Sequence, residues 1–412
     1  MRLLFLSGLQ LHPTLSGGQL RSFALANALQ RHGVEVFVYS LVGRKRDYLE
    51  RRPSALQTWP GGIREYVDRG PLGFLAQYAS YALGLPPLWL TAYLRAACCS
   101  HSERLLTPLL RARLAWSDVV LADFPFVHPV FETPSAKGSL RVLSTHNLEH
   151  RLCPDWLGPA VRRIETRAAA TSHIVVSCCS GDRDYFESHA PVRRSVVVPN
   201  GTDLRRFQGL AAPQRSAARR ALGIADDVLL LLFTGSKYGP NREAFEYLAS
   251  FAASERRLLE ERRVHLLVVG GVAQPARLPG LTVTGKVDVV EPYFAAADIA
   301  LNPIETGAGT NVKVAEFLAA RLPIVSTAFG ARGFALEHGK TAFLFERTGL
   351  GAMLSQVRAL FDAEPERLRQ MADLAYAANE GAIDMDAAVR PLVAAMHQAL
   401  APDARGAARW QN

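Results

Sequence analysis

The stretch Asn302-Pro-Ile-Glu-Thr-Gly-Ala-Gly-Thr-Asn-Val-Lys-Val-Ala-Glu316 decides the predicted fold, because it joins an apolar strand to a helix through a glycine-containing turn. Gly307 and Gly309 permit a close approach of the backbone to a ligand. The helix is predicted to begin near Thr310 and Asn311. Its first N–H groups lack partners within the helix and its dipole is positive there, so this end favours an anion.

Two charged side chains on this helix carry the chemistry that we predict for it. Lys313 places a full positive charge beside the anion site. Glu316 lies three residues later on the same helix face, where a carboxylate can accept hydrogen bonds from the hydroxyls of a ribose. One turn and one helix are therefore predicted to hold a diphosphate and a ribose. The competing interpretation is a glycine turn followed by a solvated Lys–Glu pair.

The whole chain shows strand, turn and helix in two successive halves. Short apolar strands alternate with helical stretches, which is typical of α/β proteins with parallel sheets. The predicted strands are residues 2–7, 34–39, 118–122, 140–145, 174–177, 195–198, 228–234, 264–269, 297–303 and 324–327. Residues 202–225 are polar and rich in Ala and Arg, and we interpret them as the passage between the halves.

This pattern predicts an α/β fold with two Rossmann-like, doubly wound domains that face a deep cleft. Residues 1–200 form the first predicted domain and residues 201–385 the second. Residues 386–412 are expected to add a C-terminal helix that packs back on the first domain, followed by a frayed tail. Ligands of open α/β sheets bind at the carboxyl ends of the strands, so two facing edges would provide room for two substrates.

A second glycine-containing turn, between another predicted strand and helix, supplies further candidate ligands for the anion. Gly235, Ser236 and Lys237 follow a predicted strand, and Arg242 lies at the start of the next helix. Lys237 or Arg242 is expected to reach the same diphosphate. The competing interpretation of this turn is a capped helix start.

Two further turns in the first half are candidate sugar-binding segments. Gly17 and Gly18 follow the first strand without forming G-x-G-x-x-G, and no acidic residue ends the second strand, which argues against NAD. Their backbone amides are expected to approach the phosphate and the sugar, and a plain turn is the alternative. His146 and Asn147 follow another strand, where imidazole and amide groups hydrogen-bond sugar hydroxyls. The alternative for His146 is a structural histidine.

The bulk composition excludes several classes of protein. Among 412 residues, 47 Lys and Arg face 38 Asp and Glu, for a net charge of +9. The basic residues are dispersed, without the clustered footprint of nucleic-acid-binding proteins. None of the five cysteines forms a CxxC pair, so we expect reduced thiols. The apolar N-terminal stretch is too short for a signal peptide.

The segment Gly70–Leu94 contains no charged residue. A bilayer span needs about 20 mostly apolar residues, but three prolines and three glycines interrupt this segment. Two packed helices with a Pro86-Pro87 joint are the favoured interpretation. An apolar surface that meets a membrane or a lipid-like acceptor is the second hypothesis, and a bilayer span is the third.

Several of these motifs together resemble glycosyltransferase family 4, whose members have the GT-B fold. The resemblance extends from the glycine pair at 17–18 to about residue 346. It rests on Thr145-His-Asn-Leu-Glu149, Val198-Pro-Asn-Gly-Thr-Asp203, the turn Gly235 to Arg242, Thr284-Gly-Lys-Val-Asp288 and Gly307-x-Gly-Thr-Asn-x-Lys-x-x-Glu316.

The resemblance implies an enzyme that moves a hexose-like sugar from a nucleotide-diphosphate sugar to an acceptor with retention of anomeric configuration. It implies no cofactor and no bound metal. Glu316 would bind the ribose and Lys313 the diphosphate, while Lys286 and Asp288 would lie beside the base. His146 would meet the donor sugar and help to polarise the reacting centre.

Two departures from the family pattern keep a second hypothesis open. Ala308 stands where many members have the first of two glutamates, with Glu305 nearby, and Ser236 stands where Arg is usual. A non-catalytic relative that binds nucleotide or stabilises a partner is therefore the alternative, and an epimerase on the same fold is a third. For the enzyme, we expect a bacterial cytoplasmic protein of polysaccharide biosynthesis. Its acceptor would be a saccharide, a lipid-linked compound or a small natural product, with a peripheral contact at the inner membrane face.

Overall fold

The computed structural model describes residues 1–14, 16–82, 87–209, 212–307 and 309–401. Within them the chain divides into two compact units. The first contains residues 1–14, 18–199 and 386–401, and the second contains residues 16–17 and 200–385. Each unit is a mainly parallel sheet with helices, as the alternating pattern predicts.

Among the described residues, the first unit contains eight strands and, before the second unit begins, seven α-helices. The strands are β1 (Arg2–Ser7), β2 (Glu35–Ser40), β3 (Ala55–Thr58), β4 (Arg64–Val67), β5 (Val119–Asp123), β6 (Leu140–Ser144), β7 (Ile174–Ser177) and β8 (Ser195–Val197). The helices are α1 (Gly17–Arg31), α2 (Lys45–Leu49), α3 (Pro71–Ala82), α4 (Pro87–His101), α5 (Pro108–Trp116), α6 (Gly158–Thr171) and α7 (Ser180–His189).

The sheet of the first unit reverses its strand order between β1 and β5. The order is β3-β4-β2-β1-β5-β6-β7-β8, with an antiparallel pair only at the β3–β4 edge. Such a reversal opens a crevice at the carboxyl ends of the strands, where open α/β sheets bind ligands. The register places Asp123, the last residue of β5, beside Ser7 on one side and Ser144 on the other.

The second unit has seven strands. They are β9 (Leu229–Thr234), β10 (Val264–Val269), β11 (Ala276–Leu278), β12 (Leu281–Val283), β13 (Ile299–Asn302), β14 (Ile324–Thr327) and β15 (Phe343–Phe345). The helices are α8 (Ala212–Leu222), α9 (Gly239–Ser254), α10 (Arg256–Glu261), α11 (Glu291–Ala296), α12 (Val312–Ala319), α13 (Ala328–Ala331), α14 (Leu350–Ala363) and α15 (Pro365–Ile383), while α16 (Met385–Ala388) begins at the last residue of this unit and continues into the first.

The sheet of the second unit is buried on both faces. Its order is β11-β12-β10-β9-β13-β14-β15, so the reversal falls between β9 and β13. In β9, Leu229 and Leu231 belong to one apolar cluster, and Leu230 and Leu232 to another on the opposite face. Burial of both faces explains why this strand is a continuous apolar run rather than an alternating one.

The last helix of the described chain, α17 (Arg390–Leu400), belongs to the first unit. It packs against β6, β7 and β8, and Arg194 Nη2 donates to Gln398 Oε1 at 2.8 Å. The chain thus returns to the first unit after completing the second. The tail from residue 402 to 412 lies outside the described residues.

The sequence locates the central strands and misses the edges of the sheets. β1, β7, β10 and β14 have the predicted bounds, while β3, β4, β11, β12 and β15 are not predicted. The unpredicted strands have only three or four residues each, and β3 and β11 are largely exposed. A short exposed strand has neither a continuous apolar run nor a clear alternation to identify it.

The interpretation of residues 202–225 as a passage between the halves is wrong in part. The segment contains a 3₁₀ turn at Leu204–Arg206 and helix α8, which packs against α11. Arg219 of α8 is fully buried, and its Nη2 lies 2.7 Å from Asp298 Oδ2. The same guanidinium donates to the carbonyl of Val228. The many arginines that make the segment look like a linker thus include one at the centre of the packing.

The uncharged segment Gly70–Leu94 contributes the two helices α3 and α4, which pack against each other. Residues 83–86, at the predicted joint, lie outside the described residues. Across the described ranges, every helix is too short or too polar to span a bilayer.

Removal of the buried guanidinium of Arg219 is expected to destabilise the second unit strongly. Arg219→Met leaves the Asp298 carboxylate, itself about 6% exposed, without its buried cation and with only the partly exposed Arg215 as a partner, which should cost about 3 kcal/mol of unfolding free energy. Urea denaturation measures this loss. Arg257→Ala is the matched control, because its ion pair with Glu261 is 91% exposed at Arg257 and should contribute less than about 0.5 kcal/mol. Equal stabilities of the two variants would contradict the role of Arg219.

Candidate functional site

In the first unit, the strand reversal brings His146 and Asp123 together. His146 follows β6 by two residues, and Asp123 ends the neighbouring strand β5. His146 Nε2 lies 2.7 Å from Asp123 Oδ1, and both side chains are buried. Ser22, in the second turn of α1, donates its hydroxyl to Asp123 Oδ2 at 2.6 Å. The carboxylate is therefore fixed from two elements.

This arrangement decides which nitrogen of His146 carries the proton. Burial lowers the pKa of His146 although the nearby Asp123 raises it, so the imidazole is neutral at neutral pH. A carboxylate only accepts hydrogen bonds, so Nε2 carries the proton and Nδ1 is an acceptor. Nδ1 is buried and has no hydrogen-bond partner among the described residues. It lies 3.5 Å from the position that a side chain on Gly18 would occupy.

Phe124 covers one face of the imidazole. Its ring is stacked on His146 with centroids 3.8 Å apart and an angle of 19° between the planes. Phe124 has a φ of +77°, a left-handed conformation that costs energy for a residue with a side chain. Strain of this kind concentrates at functional sites, and here it orients the ring that confines His146.

The segment that carries His146 is anchored by a buried carboxylate on α6. Glu165 Oε1 accepts from the backbone N–H of Glu149 at 2.6 Å, and Oε2 lies 2.6 Å from His150 Nδ1. Burial raises the pKa of Glu165 to about 7. Asn147, the other predicted residue of this segment, is half-buried and donates to Glu149 Oε1 at 3.3 Å.

Another buried carboxylate anchors the segment that leads into α1. Glu65 is fully buried and accepts five hydrogen bonds. The donors are Leu11 N, His12 N, Ser40 Oγ, Gln57 Nε2 and Trp59 Nε1. The helix α1 then begins at Gly17, so Gly17 and Gly18, which the sequence predicts as a turn after the first strand, form the first turn of this helix.

In the second unit, the predicted glycine turn lies between β13 and α12. Gly307 has a φ of +117° and Gly309 a φ of +63°, so both adopt conformations that favour glycine. Asn311 is the N-cap residue of α12, and its Nδ2 donates to the carbonyl of Gly330 at 2.9 Å. The side chain of Thr310 accepts from Asn200 Nδ2 at 2.8 Å. These contacts fix the start of α12 one residue from its predicted place.

Lys313 lies in the first turn of α12 and points at β9 rather than at Glu316. Its Nζ donates to Asn241 Oδ1 at 2.8 Å and lies 4.1 Å from the ring centroid of Phe233. Burial lowers the pKa of Lys313 to about 7, although Glu316 raises it. The amine is therefore only partly protonated at neutral pH, and an anion bound beside it would raise its pKa and complete the charge.

Asn241 connects the two predicted turns of the second unit. Its Oδ1 accepts from Lys313, and its Nδ2 lies 3.2 Å from the carbonyl of Ser236. Gly235 leaves the space that Asn241 occupies, because a side chain there would lie 3.3 Å from Asn241 Cβ. The turns after β9 and β13 thus form one continuous surface at the strand reversal.

Glu316 is buried in the middle of α12 and is paired with Arg206. Arg206 Nη1 donates to Glu316 Oε1 at 3.0 Å, and Arg206 Nε donates to Glu291 Oε1 at 2.7 Å. Burial raises the pKa of Glu316, and Arg206 lowers it. The solvated Lys313–Glu316 pair of the competing interpretation is therefore absent from the described contacts, because Glu316 pairs with Arg206 and Lys313 donates to Asn241.

The remaining predicted donor residues lie at the same edge of the second sheet. Lys237 and Arg242 follow β9, and Lys286 and Asp288 follow β12, and all four side chains are exposed. Glu305 lies 3.3 Å from Arg347, and Ala308 lies outside the described residues. The described residues contain no cluster of three His, Cys, Asp or Glu side chains suited to a metal ion.

Sequence reasoning missed several residues that complete these two sites. They are Ser22, Asp123, Phe124, Arg206, Asn241 and Glu291. Asp123 had a signal, since an acidic residue directly follows a predicted strand. The Arg206 pairs had none, because their partners are 85 and 110 positions away in the chain.

Comparisons with known proteins identify the class. The family model described as Glycosyltransferase Family 4 matches residues 15–206, and the model described as Glycosyl transferases group 1 matches residues 229–363. The chain is therefore a family 4 glycosyltransferase with the GT-B fold.

The similar proteins of known name are glycosyltransferases. D-inositol 3-phosphate glycosyltransferase of Geodermatophilus obscurus is 29% identical over 252 residues, which are 56% of this chain and only 53% of that protein. The Streptomyces coelicolor protein of the same name is 26% identical, over 85% of this chain and 80% of its own length.

Solved structures with the same fold cover nearly the whole chain. HepE of Anabaena, in complex with UDP and glucose, has a TM-score of 0.65 at 16% identity and covers 97% of this chain and 100% of its own. Sucrose-phosphate synthase of Thermosynechococcus elongatus has a TM-score of 0.68 at 14% identity, over 97% and 99%.

The protonation state of His146 gives a direct test of this geometry. With ¹⁵N-labelled histidine, NMR spectroscopy should show His146 as the Nε2–H tautomer near neutral pH, because Asp123 accepts that proton. Asp123→Ala should lose this single tautomer and lower the unfolding free energy by about 1–3 kcal/mol, the cost of an unpaired buried donor. Asp184→Ala, at a side chain 60% exposed, is the control. A wild-type Nδ1–H tautomer would contradict the assignment.

Proposed function

We propose that this chain transfers a sugar from a nucleotide-diphosphate sugar to an acceptor hydroxyl with retention of configuration at the anomeric carbon. The observation that carries the proposal is the start of α12, where Lys313 and Glu316 lie beside a glycine turn at the strand reversal of the second unit. A diphosphate requires positive charge and N–H donors, and a ribose requires a paired acceptor. This turn and helix supply all three.

The diphosphate is assigned to Lys313 and the first-turn amides of α12. The Lys313 side chain is oriented by Asn241 and by the ring of Phe233. A group already oriented in this way stabilises charge that develops on a leaving diphosphate. The proposal needs no metal ion for this charge, in line with the family resemblance.

The ribose is assigned to Glu316, and the base to the turn with Lys286 and Asp288. The structures of HepE in complex with UDP and glucose and with UDP-glucose support a nucleotide sugar as donor. Lys237 and Arg242 are exposed at the same edge of the sheet, where they would reach the diphosphate or the sugar. The proposed role of Gly235, Gly307 and Gly309 is to let the backbone approach the donor.

His146 is assigned to the donor sugar. Its Nδ1 is a buried acceptor without a partner among the described residues, which suits a sugar hydroxyl that donates a hydrogen bond. Gly18 leaves space beside this nitrogen. Asp123 and Ser22 hold the imidazole, so His146 contributes orientation and polarity rather than a transferable proton.

The proposed reaction balances without a protein base. The bond between the anomeric carbon and the diphosphate oxygen breaks, and a bond to the acceptor oxygen forms on the same face of the sugar. The proton of the acceptor hydroxyl passes to the departing diphosphate oxygen. The protein then acts by positioning and by charge stabilisation.

We further propose that the acceptor is lipid-linked and that the protein meets it at the cytoplasmic face of a membrane. Phe74, Leu75 and Tyr78 of α3 are 48%, 59% and 68% exposed. Leu49 of α2 is 71% exposed, and the preceding residue, Tyr48, contacts Phe74. Contiguous exposed apolar side chains of this size mark interaction surfaces, and the net charge of +9 favours an anionic bilayer.

Loss of the Lys313 ammonium is expected to weaken donor binding. Lys313→Ala should raise the dissociation constant of UDP, GDP or ADP, whichever the protein binds, at least about tenfold, because a charged hydrogen bond contributes about 1.5–3 kcal/mol. Thermal shift with each nucleotide and its sugar conjugates measures the change.

Lys340→Ala is the control for this substitution, since Lys340 is 65% exposed and pairs with Glu337. Unchanged affinity of Lys313→Ala would remove Lys313 from the diphosphate site. Nucleotide binding without transfer to any acceptor would favour the alternative function, a non-catalytic nucleotide-binding relative.

The membrane contact has its own test, in which the apolar surface is made acidic. The double substitution Leu75→Glu and Tyr78→Glu should reduce binding to phosphatidylglycerol vesicles at least about fivefold. Each apolar side chain that enters the bilayer contributes roughly 1 kcal/mol or more of transfer free energy, which the substitution removes. Flotation of vesicles measures the bound fraction. Leu374→Glu is the control, at a leucine 51% exposed in the second unit. Failure of the wild-type protein to bind anionic vesicles would refute the contact.

A further inference from the structure

We propose that Arg206 is a positioning residue that holds Glu316 as an ionised, correctly aligned acceptor for the nucleotide ribose. The inference rests on the proposed role of Glu316, and it assigns a function to a residue outside the motifs that define the donor site. Arg206 is the last residue of the 3₁₀ turn Leu204–Arg206. Its guanidinium pairs with the carboxylates of Glu291 and Glu316.

The geometry makes Arg206 a bridge between two helices. Its Nη1 donates to Glu316 Oε1 of α12 at 3.0 Å, and its Nε donates to Glu291 Oε1 of α11 at 2.7 Å. Glu291 is itself fixed, because its Oε2 accepts from the backbone N–H of Val290 at 3.0 Å. The guanidinium therefore has an anchored partner on one side and orients Glu316 with the other.

One oxygen of Glu316 remains for a ligand. Arg206 occupies Oε1, and among the described residues no hydrogen bond reaches Oε2. The residue is only about 7% exposed, so its carboxylate has little water to keep it charged. A ribose that approaches Oε2, and shares Oε1 with Arg206, would meet an acceptor already turned in the productive direction.

The surrounding charges explain why an arginine is needed. Burial raises the pKa of Glu316, Arg206 lowers it, Glu291 raises it and Lys313 lowers it. Lys313 offsets the effect of burial and of Glu291 on Glu316 only weakly, since burial lowers the pKa of Lys313 itself to about 7. Without Arg206, burial and Glu291 both favour the protonated acid. Protonation turns one of the two carboxylate oxygens into a donor and removes the negative charge, so the acid accepts hydrogen bonds from the two ribose hydroxyls less strongly than the carboxylate does.

The test compares nucleotides with and without the ribose hydroxyls. The probes are UDP, GDP and ADP, each beside its 2′,3′-dideoxy form, titrated calorimetrically between pH 6 and pH 9. The ratio of the two affinities isolates the hydroxyl contribution. Titration of Lys313 acts on the diphosphate of both ligands, so its direct effect on diphosphate binding cancels in the ratio.

Wild type is expected to prefer the ribonucleotide at least about tenfold, the factor that one charge-assisted hydrogen bond supplies, with little change over this pH range. Arg206→Gln should lose the preference near pH 6 and recover it toward pH 9, as Glu316 ionises. Glu316→Gln should show no preference at any pH. Arg205→Gln is the matched control, because the neighbouring Arg205 pairs with Asp203, and it should behave as wild type.

A merely structural role for Arg206 makes a different prediction. A preference in Arg206→Gln that equals wild type at every pH would overturn the inference, and so would a preference lost at every pH without recovery. If wild type itself shows no preference, or binds none of the three nucleotides, the ribose role of Glu316 fails first and the inference falls with it.

A second variant keeps the test decisive if Arg206→Gln does not fold, as judged by its melting curve. Arg206→Lys retains the charge but replaces the two-pronged guanidinium with a point charge. We expect it to keep a reduced preference, within about threefold of wild type, that is flat with pH. Equal binding of both nucleotides by Arg206→Lys at pH 8 would overturn the inference.

Discussion

The ammonium group of Lys313, held against Phe233 and Asn241, is the contact on which the proposed donor site depends. It lies in the first turn of α12, yet both of its partners come from β9 and the turn that follows it. The contact forms only if the positive-φ glycines at 307 and 309 direct the chain back toward β9. It also requires the Ser236 backbone to orient Asn241. Two turns that are about 70 residues apart in the chain thereby become one surface.

The same architectural rule places the candidate groups of the first unit. Its strand reversal lies between β1 and β5, and Asp123, the last residue of β5, holds His146. In each unit a buried titratable group is oriented by a partner on the neighbouring strand or turn. Burial lowers the pKa of both His146 and Lys313. A neutral imidazole can accept a hydrogen bond from a sugar hydroxyl. A lysine amine close to its pKa becomes fully protonated when an anion binds beside it.

The sequence predicts the parts of this structure that local chemistry determines. Continuous apolar runs identify the central strands, and the glycines of 307–309 identify the turn before α12, because each signal lies within a few residues. It fails where partners are distant in the chain. Arg219 looks like part of a polar linker but is buried against Asp298, and Arg206 gives no local sign that it pairs with Glu291 and Glu316. The short edge strands are also not predicted, because they are defined by pairing with a neighbouring strand and not by a hydrophobic pattern in their own residues.

The protonation of Lys313 offers the most direct measurement of the central claim. If the diphosphate binds Lys313, it raises a pKa that is about 7 in the free protein, so binding at pH 8 takes up a proton. Calorimetric titration of UDP, or of GDP or ADP if one of these binds instead, in Tris and in HEPES buffer gives the number of protons from the difference in enthalpy. The account predicts an uptake that approaches about one proton per site and is lost in Lys313→Met. Binding of the nucleotide to wild type without proton uptake would contradict it.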